Sequence, residues 1–313
     1  MALISRQRGF FISVFALASL AATAGQCANF LAQTTAASGT IQTPGVTDNK
    51  NVSGAAPVSA TSSSSVDSSS DQFARGSSYS SASAEAGAVH AYSSATGETF
   101  GVNCCTSGGG SASSTGQFSD LFFLSSSDIA AGTKATITAT VYVDGAFLSD
   151  QSGVAWSGSE WWRASAYTGD TPFSVSGSRN GSAGGGFSES GASFGAYTIT
   201  FGAFFGQNNL MQMTVETEAF ASAGGPGLNF SSFATDLGDT FAWGGIQKVM
   251  VDGTEVTDFS ALSADTGFDY RYAYVEPGSG AVPEPATWAL MLTGFGLGGT
   301  MLRSRRVPRQ QIA

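Results

Sequence analysis

From about Phe73 to Val275, apolar and polar residues alternate with the period of a β-strand. No stretch there shows the 3.6-residue recurrence of an amphipathic helix. The clearest run is Thr133 to Val143, with Ala135, Ile137, Ala139, Val141 and Val143 on one face and Thr136, Thr138, Thr140 and Tyr142 on the other. That is a half-buried strand, and Asp144-Gly145 beyond it is the dipeptide of a tight hairpin. Tyr197 to Phe205 and Leu210 to Phe220 are two further runs, separated by Gly206-Gln207-Asn208-Asn209. Thr240 to Val251 is closed by Asp252-Gly253, and the alternation Phe268, Tyr270, Tyr272, Tyr274 predicts a last strand over Phe268 to Val275. The glycine-rich stretch Gly177 to Gly195 reads as a long loop or a pair of loose edge strands.

Short strands divided by turn signals predict an all-β domain over residues 73–276, an antiparallel β-sandwich of jelly-roll-like form. Phenylalanine supplies its core: Phe118, Phe122, Phe123, Phe147, Phe173, Phe194, Phe201, Phe204, Phe205, Phe220 and Phe241. Each ring is worth roughly 1.5–3 kcal/mol when buried. Residues 25–72 look different. Ser62 to Ser65 and Ser68 to Ser70 are near-homopolymer tracts in a background of Ser, Thr, Ala and Gly. Apolar side chains are too sparse there to repay the entropy of ordering, which predicts a flexible arm, with a short strand near Ile41 at most.

The two ends are segments of another kind. Residues 1–24 have the make-up of a secretory signal: Arg6 and Arg8, an apolar run from Gly9 to Leu20, and the small-residue cleavage site Ala22-Thr23-Ala24. Gln26 is too large to precede a lipidated cysteine at Cys27. Signal peptides are read by the Sec translocon, so export across the inner membrane is expected. At the other end, after a linker over 277–282, comes Pro283-Glu284-Pro285. Each proline fixes its own φ and pushes the preceding residue out of the α region, so the tripeptide is an extended acidic handle. Ala286 to Leu302 then runs without a charge. As a helix it spans roughly 25 Å, the short end of what crosses a bilayer. Trp288 stands at its outer edge and Arg303, Arg305, Arg306 and Arg309 at its inner edge, the order that places arginines on the cytoplasmic side.

Residues 283–309 resemble the PEP-CTERM sorting signal of Gram-negative bacteria, in the variant Pro-Glu-Pro-x-x-Trp-Ala at Pro283, Glu284, Pro285, Trp288 and Ala289, followed by the membrane segment and the basic stop at Arg303, Arg305 and Arg306. The tail beyond the arginines, through Pro308 to Ala313, is slightly longer than usual. The resemblance implies processing by exosortase, a membrane-embedded cysteine peptidase or transpeptidase. It implies a protein transiently anchored in the inner membrane, then placed at the cell surface or in an exopolysaccharide or biofilm matrix. Leu237 to Ile246, followed by Phe268-Asp269-Tyr270, is similar to the end of the sandwich body common in that family.

Charge narrows the partners. Of 13 Lys+Arg, two lie in the signal and four in the tail; of 23 Asp+Glu, one lies in the sorting segment. Residues 25–282 thus keep 7 basic against 22 acidic side chains, a formal charge of −15. Such a surface repels phosphate backbones, so no nucleic-acid partner is expected. Cys27, Cys104 and Cys105 survive export into a compartment that permits disulfides, and an odd count leaves one unpaired or intermolecular. A vicinal Cys104–Cys105 ring and a bridge from either to Cys27 are both open.

Little points to catalysis, and no cofactor is expected. His90 is the only histidine, and no Gly-x-Ser-x-Gly elbow frames a serine for it. The ligands for a zinc site are too few. Asp236, Asp239, Asp258, Asp265 and Asp269 are the candidates for an oxygen-only calcium site, but turn aspartates explain them better, and no metal site is expected. Glu216 and Glu218 are two apart on one strand face, which more often faces solvent than holds a glycosidase pair. Trp156, Trp161, Trp162 and Trp243 offer rings for a sugar platform, although Trp161 and Trp162 must point to opposite faces. The leading expectation is a non-enzymatic surface protein; a carbohydrate-binding or adhesive module comes second and a surface hydrolase third.

Overall fold

The computed structural model describes residues 28–276 except 41, 42, 44, 69–72, 102–105, 170 and 171. Among the described residues the chain is all β. Its strands are β1 (Asn29–Thr40), β2 (Val46–Gly54), β3 (Val58–Ser68), β4 (Phe73–Glu85), β5 (Ala88–Phe100), β6 (Ser107–Ser125), β7 (Lys134–Ser152) and β8 (Trp156–Tyr167). They continue with β9 (Pro172–Ser182), β10 (Gly186–Gly191), β11 (Gly195–Phe204), β12 (Gln207–Gly224), β13 (Asn229–Val251), β14 (Thr254–Glu255) and β15 (Ser260–Ser263). Two antiparallel sheets form the sandwich. The first runs β10-β9-β8-β12-β6-β1-β2, with β15 on β6; the second runs β11-β7-β13-β5-β4-β3, with β14 on β13. Connections repeatedly cross between the sheets: the runs 197–205 and 210–220 become β11 and β12, which lie in different sheets.

Over the described part of residues 25–72, the flexible arm expected there is overturned. β1 lies between β2 and β6 in the first sheet, and β3 pairs with β4 at the edge of the second. The physical reason is the size of the buried residues. β1 alternates with Phe30, Ala32, Thr34, Ala36 and Ser38 turned inward, and β3 does the same with Ala60, Ser62, Ser64 and Val66. Small side chains bury little area, but they lose little rotamer entropy and let two sheets approach closely. Their hydroxyls are satisfied across the gap. Thr34 and Ser62 are 2.8 Å apart, Ser38 and Ser64 2.5 Å, and Ser78 and Ser80 donate to the carbonyls of Ala37 and Thr35 at 3.0 Å. Ser93, Ser114 and Thr217 form a buried knot with oxygen separations of 2.7–3.3 Å.

Glycines carry the closest approach. A Cβ on Gly108 of β6 would lie 2.2 Å from the carbonyl oxygen of Arg75, and one on Gly97 of β5 would lie 2.4 Å from that of Gly108. The sheets there are separated by backbone rather than by side chains. The large apolar residues gather elsewhere in the interior, around Phe118, Phe122, Ile137, Trp162, Phe241 and Trp243. Of the phenylalanines expected inside, Phe123, Phe204 and Phe220 are 42, 38 and 41 % exposed. Phe122-Phe123 and Phe204-Phe205 are adjacent pairs, so strand parity sends one of each pair outward.

Two turn signals divide sharply. Asp252 (φ +48°) and Gly253 (φ +82°) both adopt the left-handed region and close a two-residue hairpin with Val251 opposite Thr254. Asp144-Gly145, expected to do the same, instead lies within β7, with Asp144 opposite Thr240. The register of β13 against β7 shifts between Asp236 and Thr240, and a Cβ on Gly145 would meet the Asp236 carbonyl at 2.3 Å. That glycine makes room for a neighbour's bulge. The strand expected over Phe268 to Val275 is also corrected. Asp269 forms a single bridge to Leu262, Tyr270 is buried and Tyr272 is 63 % exposed beyond the turn. Side-chain anchors and a few isolated backbone bonds, Tyr270 N–H to the Ala261 carbonyl, Ser263 N–H to that of Phe268 and Ile246 N–H to that of Tyr270, hold this segment instead of a continuous ladder. The stretch Gly177 to Gly195 supplies one edge strand, β10, and the end of β9, which is paired on both sides, with β10 and with β8.

Candidate functional site

The outer face of the first sheet collects the chemistry weighed in the sequence. Along β8 the odd residues point out and the even ones in, so Trp162 is fully buried while Trp161 is part-exposed on the outer face. The register places Trp161 opposite Glu218 of β12 on one side and Ser178 of β9 on the other. The Trp161 indole Nε1 donates to Glu218 Oε2 at 2.8 Å. Next along the strand, Arg163 lies opposite Glu216, with Nη1 3.7 Å from Oε2. Burial pushes the Glu216 carboxyl above its ordinary range, and the Arg163 guanidinium offsets part of that push.

A shallow groove of about 280 Å³ opens beside these residues, lined by Trp161, Arg163, Ser176, Ser178 and Ser190 and floored by backbone at Gly177 and Gly191. Ser178 and Ser190 hydroxyls are 2.9 Å apart across β9 and β10. Tyr167 and Phe220 stand on the same outer face, each 41 % exposed. Glu216 and Glu218 are therefore engaged by a guanidinium and an indole, on an open surface rather than across a cleft.

The other tryptophans serve packing. Trp243 is buried, donates from Nε1 to the Tyr270 carbonyl at 2.7 Å and meets the Tyr270 ring edge-on at 5.5 Å. The two pieces of sequence read as the end of a sandwich body, Leu237 to Ile246 and Phe268 to Tyr270, thus meet in space. Trp156 packs on Phe187 and Phe233.

Two buried acids escaped the sequence reading. Glu160, inward on β8, meets Arg179 of β9, whose Nε lies 2.5 Å from Oε1. The Arg179 guanidinium sits over the rings of Phe147 and Phe187. Burial outweighs the guanidinium and lifts the Glu160 carboxyl to about 7. Asp120, inward on β6, accepts from Ser263 Oγ at 2.8 Å and from Thr266 Oγ1 and Tyr270 Oη at 3.0 Å each. Its carboxyl is raised by burial, against the lowering effect of those bonds. The available signal was parity: both acids fall on the apolar phase of their strands.

His90 lies on β5 opposite Ser83, with Nε2 3.7 Å from Glu85 Oε1, beside a shallow cavity on the outer face of the second sheet. Asp269 is held low chiefly by its hydrogen bonds to Arg271. Among the described residues no group of three or more His, Cys, Asp or Glu side chains is placed to hold a metal ion. Nor is any helix among them long and apolar enough to cross a membrane. Ala22, Ala24, Cys27, Cys104, Cys105, Pro283, Glu284, Pro285, Trp288, Ala289, Arg303, Arg305 and Arg306 lie outside the described residues.

Fold and surface together define a two-sheet antiparallel sandwich with a hydroxyl-lined interior and an aromatic and acidic outer face. No protein-family model, curated protein or solved structure matches the chain. The resemblance of its C-terminal segment to a sorting signal rests on the residues alone.

Proposed function

We propose that this chain is an exported, non-enzymatic protein of the cell surface or extracellular matrix, processed at a C-terminal PEP-CTERM signal by exosortase and working in an exopolysaccharide or biofilm setting. The cleaved signal helix over 1–24 takes it through the Sec translocon. The membrane helix from Ala286 to Leu302 holds it briefly in the inner membrane. The jelly-roll-like sandwich is the part delivered. The observation that carries the reading is the order Pro283-Glu284-Pro285, Trp288-Ala289, an uncharged run and Arg303, Arg305, Arg306. A plain anchor needs the apolar run and the arginines, but has no use for a rigid acidic handle outside them.

The body suits a structural role. Asp120 clasps the segment that leads to the C-terminal signal, and Glu216 and Glu218 are occupied on an open face. Intact-mass measurement of the protein recovered from a host with its own sorting machinery tests the reading. Loss of residues 1–24 and of a fragment beginning near Pro283 is expected, and Glu284→Ala should leave a longer form in the inner membrane. Mature protein that still carries Ala313 would overturn it.

A further inference from the structure

We infer that the groove beside Trp161 binds a linear, uncharged polysaccharide along the outer face of the first sheet. A sugar ring needs an aromatic face for its C–H groups and a mixed set of donors and acceptors for its hydroxyls. The groove has both. The Trp161 ring is part-exposed and fixed by its bond to Glu218, so little rotamer freedom remains to be lost on binding. In the groove Arg163 donates and Ser176 and Ser178 do either, while Glu216 and Glu218, on β12 across β8 from it, add acceptors on the same face.

The length of the ligand follows from the neighbouring rings. Tyr167 lies six residues from Trp161 on the same face of β8, about 20 Å along the strand. Phe220 lies opposite Ser159, a diagonal neighbour of Trp161 about 7–8 Å away. Phe220 stands one strand over, on β12, so the three rings run roughly along the strand direction with Trp161 between the other two. A single sugar fills only the central position, whereas a chain meets all three. The charge of the ligand follows from the surface. Two carboxylates face one guanidinium here, in a body of formal charge −15 from 7 basic and 22 acidic residues, and that field repels an anionic polymer.

The site depends on the fold and not on the sorting signal, so a chain that was never cleaved would still bind. The test is calorimetry on the full chain in a non-glycosidic detergent, with hexamers of β-glucan, xylan and mannan, oligogalacturonate and free glucose as probes. At least one neutral hexamer should bind, with glucose and oligogalacturonate at least about tenfold weaker. Trp161→Ala should weaken the bound hexamer about tenfold or more. Arg163→Ala, at a side chain half in solvent, should weaken it severalfold while the thermal midpoint stays put. Phe123→Ala, exposed on β6 away from the groove, should change nothing. Absence of binding by all three neutral hexamers, a preference for oligogalacturonate, or unchanged affinity in both the Trp161 and Arg163 variants would overturn the inference.

Discussion

Tyr270 donates its phenolic hydrogen to Asp120 at 3.0 Å, across 150 positions of sequence. The same carboxylate takes Ser263 and Thr266, so one acid in β6 fastens β15 and the turn after it. The buried phenol has its own ionisation raised well above the ordinary tyrosine value, by burial first and by the facing carboxylate second. It therefore stays a hydrogen-bond donor through the neutral range.

Asp120→Ala takes the carboxylate acceptor from four donors, the Ser263, Thr266 and Tyr270 hydroxyls and the Leu121 amide. A loss of about 3 kcal/mol is expected, against about 1 kcal/mol for Tyr270→Phe, which leaves the other bonds to Asp120 in place. Urea unfolding followed by tryptophan fluorescence reads both, since Trp243 packs on Tyr270. Equal, small losses would show that Asp120 is not the fastening point.

The pH dependence should carry the mark of Glu160. Its folded carboxyl titrates at about 7 against an ordinary 4.5, so between those values the folded chain holds a proton that the unfolded chain has released. Stability then falls as pH rises from about 4.5 to 7 and is level above, by at most on the order of 3 kcal/mol from this group. Asp120, also raised, acts in the same direction. Thermal midpoints across pH 5 to 8 should fall with rising pH in the parent chain, and the slope should flatten in Glu160→Gln. A parent chain that grows more stable over that interval contradicts the assignment.

The close approach of the sheets predicts a sharp contrast among glycines. Gly97→Ala and Gly108→Ala each push a methyl into a facing carbonyl and should cost about 1–3 kcal/mol. Gly54→Ala at the end of β2 meets nothing nearer than 3.9 Å and should stay within about 0.5 kcal/mol of the parent. Calorimetric midpoints separate the two classes.

The hydroxyl knot predicts that small residues are required in this interior, and that the hydroxyls matter less than the size. Thr217→Val keeps the volume, and Ser93 and Ser114 keep the Thr217 and Tyr92 carbonyls as acceptors, so the cost should be about 1 kcal/mol. Ser93→Leu adds apolar bulk where there is no room, and should cost more than about 3 kcal/mol or prevent folding. If the leucine variant were the more stable of the two, small-residue packing would not be what holds the sheets together.

Local alternation was enough to find the first half of β7, the inward row from Ala135 to Val143 and the turn at Asp252-Gly253, because a strand's two faces and a left-handed dipeptide are properties of neighbouring residues. It also placed Trp161 and Trp162 on opposite faces. It missed the order in residues 28–68, since a ladder of Ala, Ser and Thr shows no apolar signal until a second sheet stands close enough to accept its hydroxyls. It misread Gly145, whose meaning lies in a bulge on β13 that no reading of β7 contains. The proposed secretory and sorting signals rest on short linear strings of residues, which a sequence displays without any fold. Only the tertiary structure brought Trp161 to Glu218, Glu160 to Arg179 and Tyr270 to Asp120, because strand order and register are decided by pairings between residues far apart in the chain.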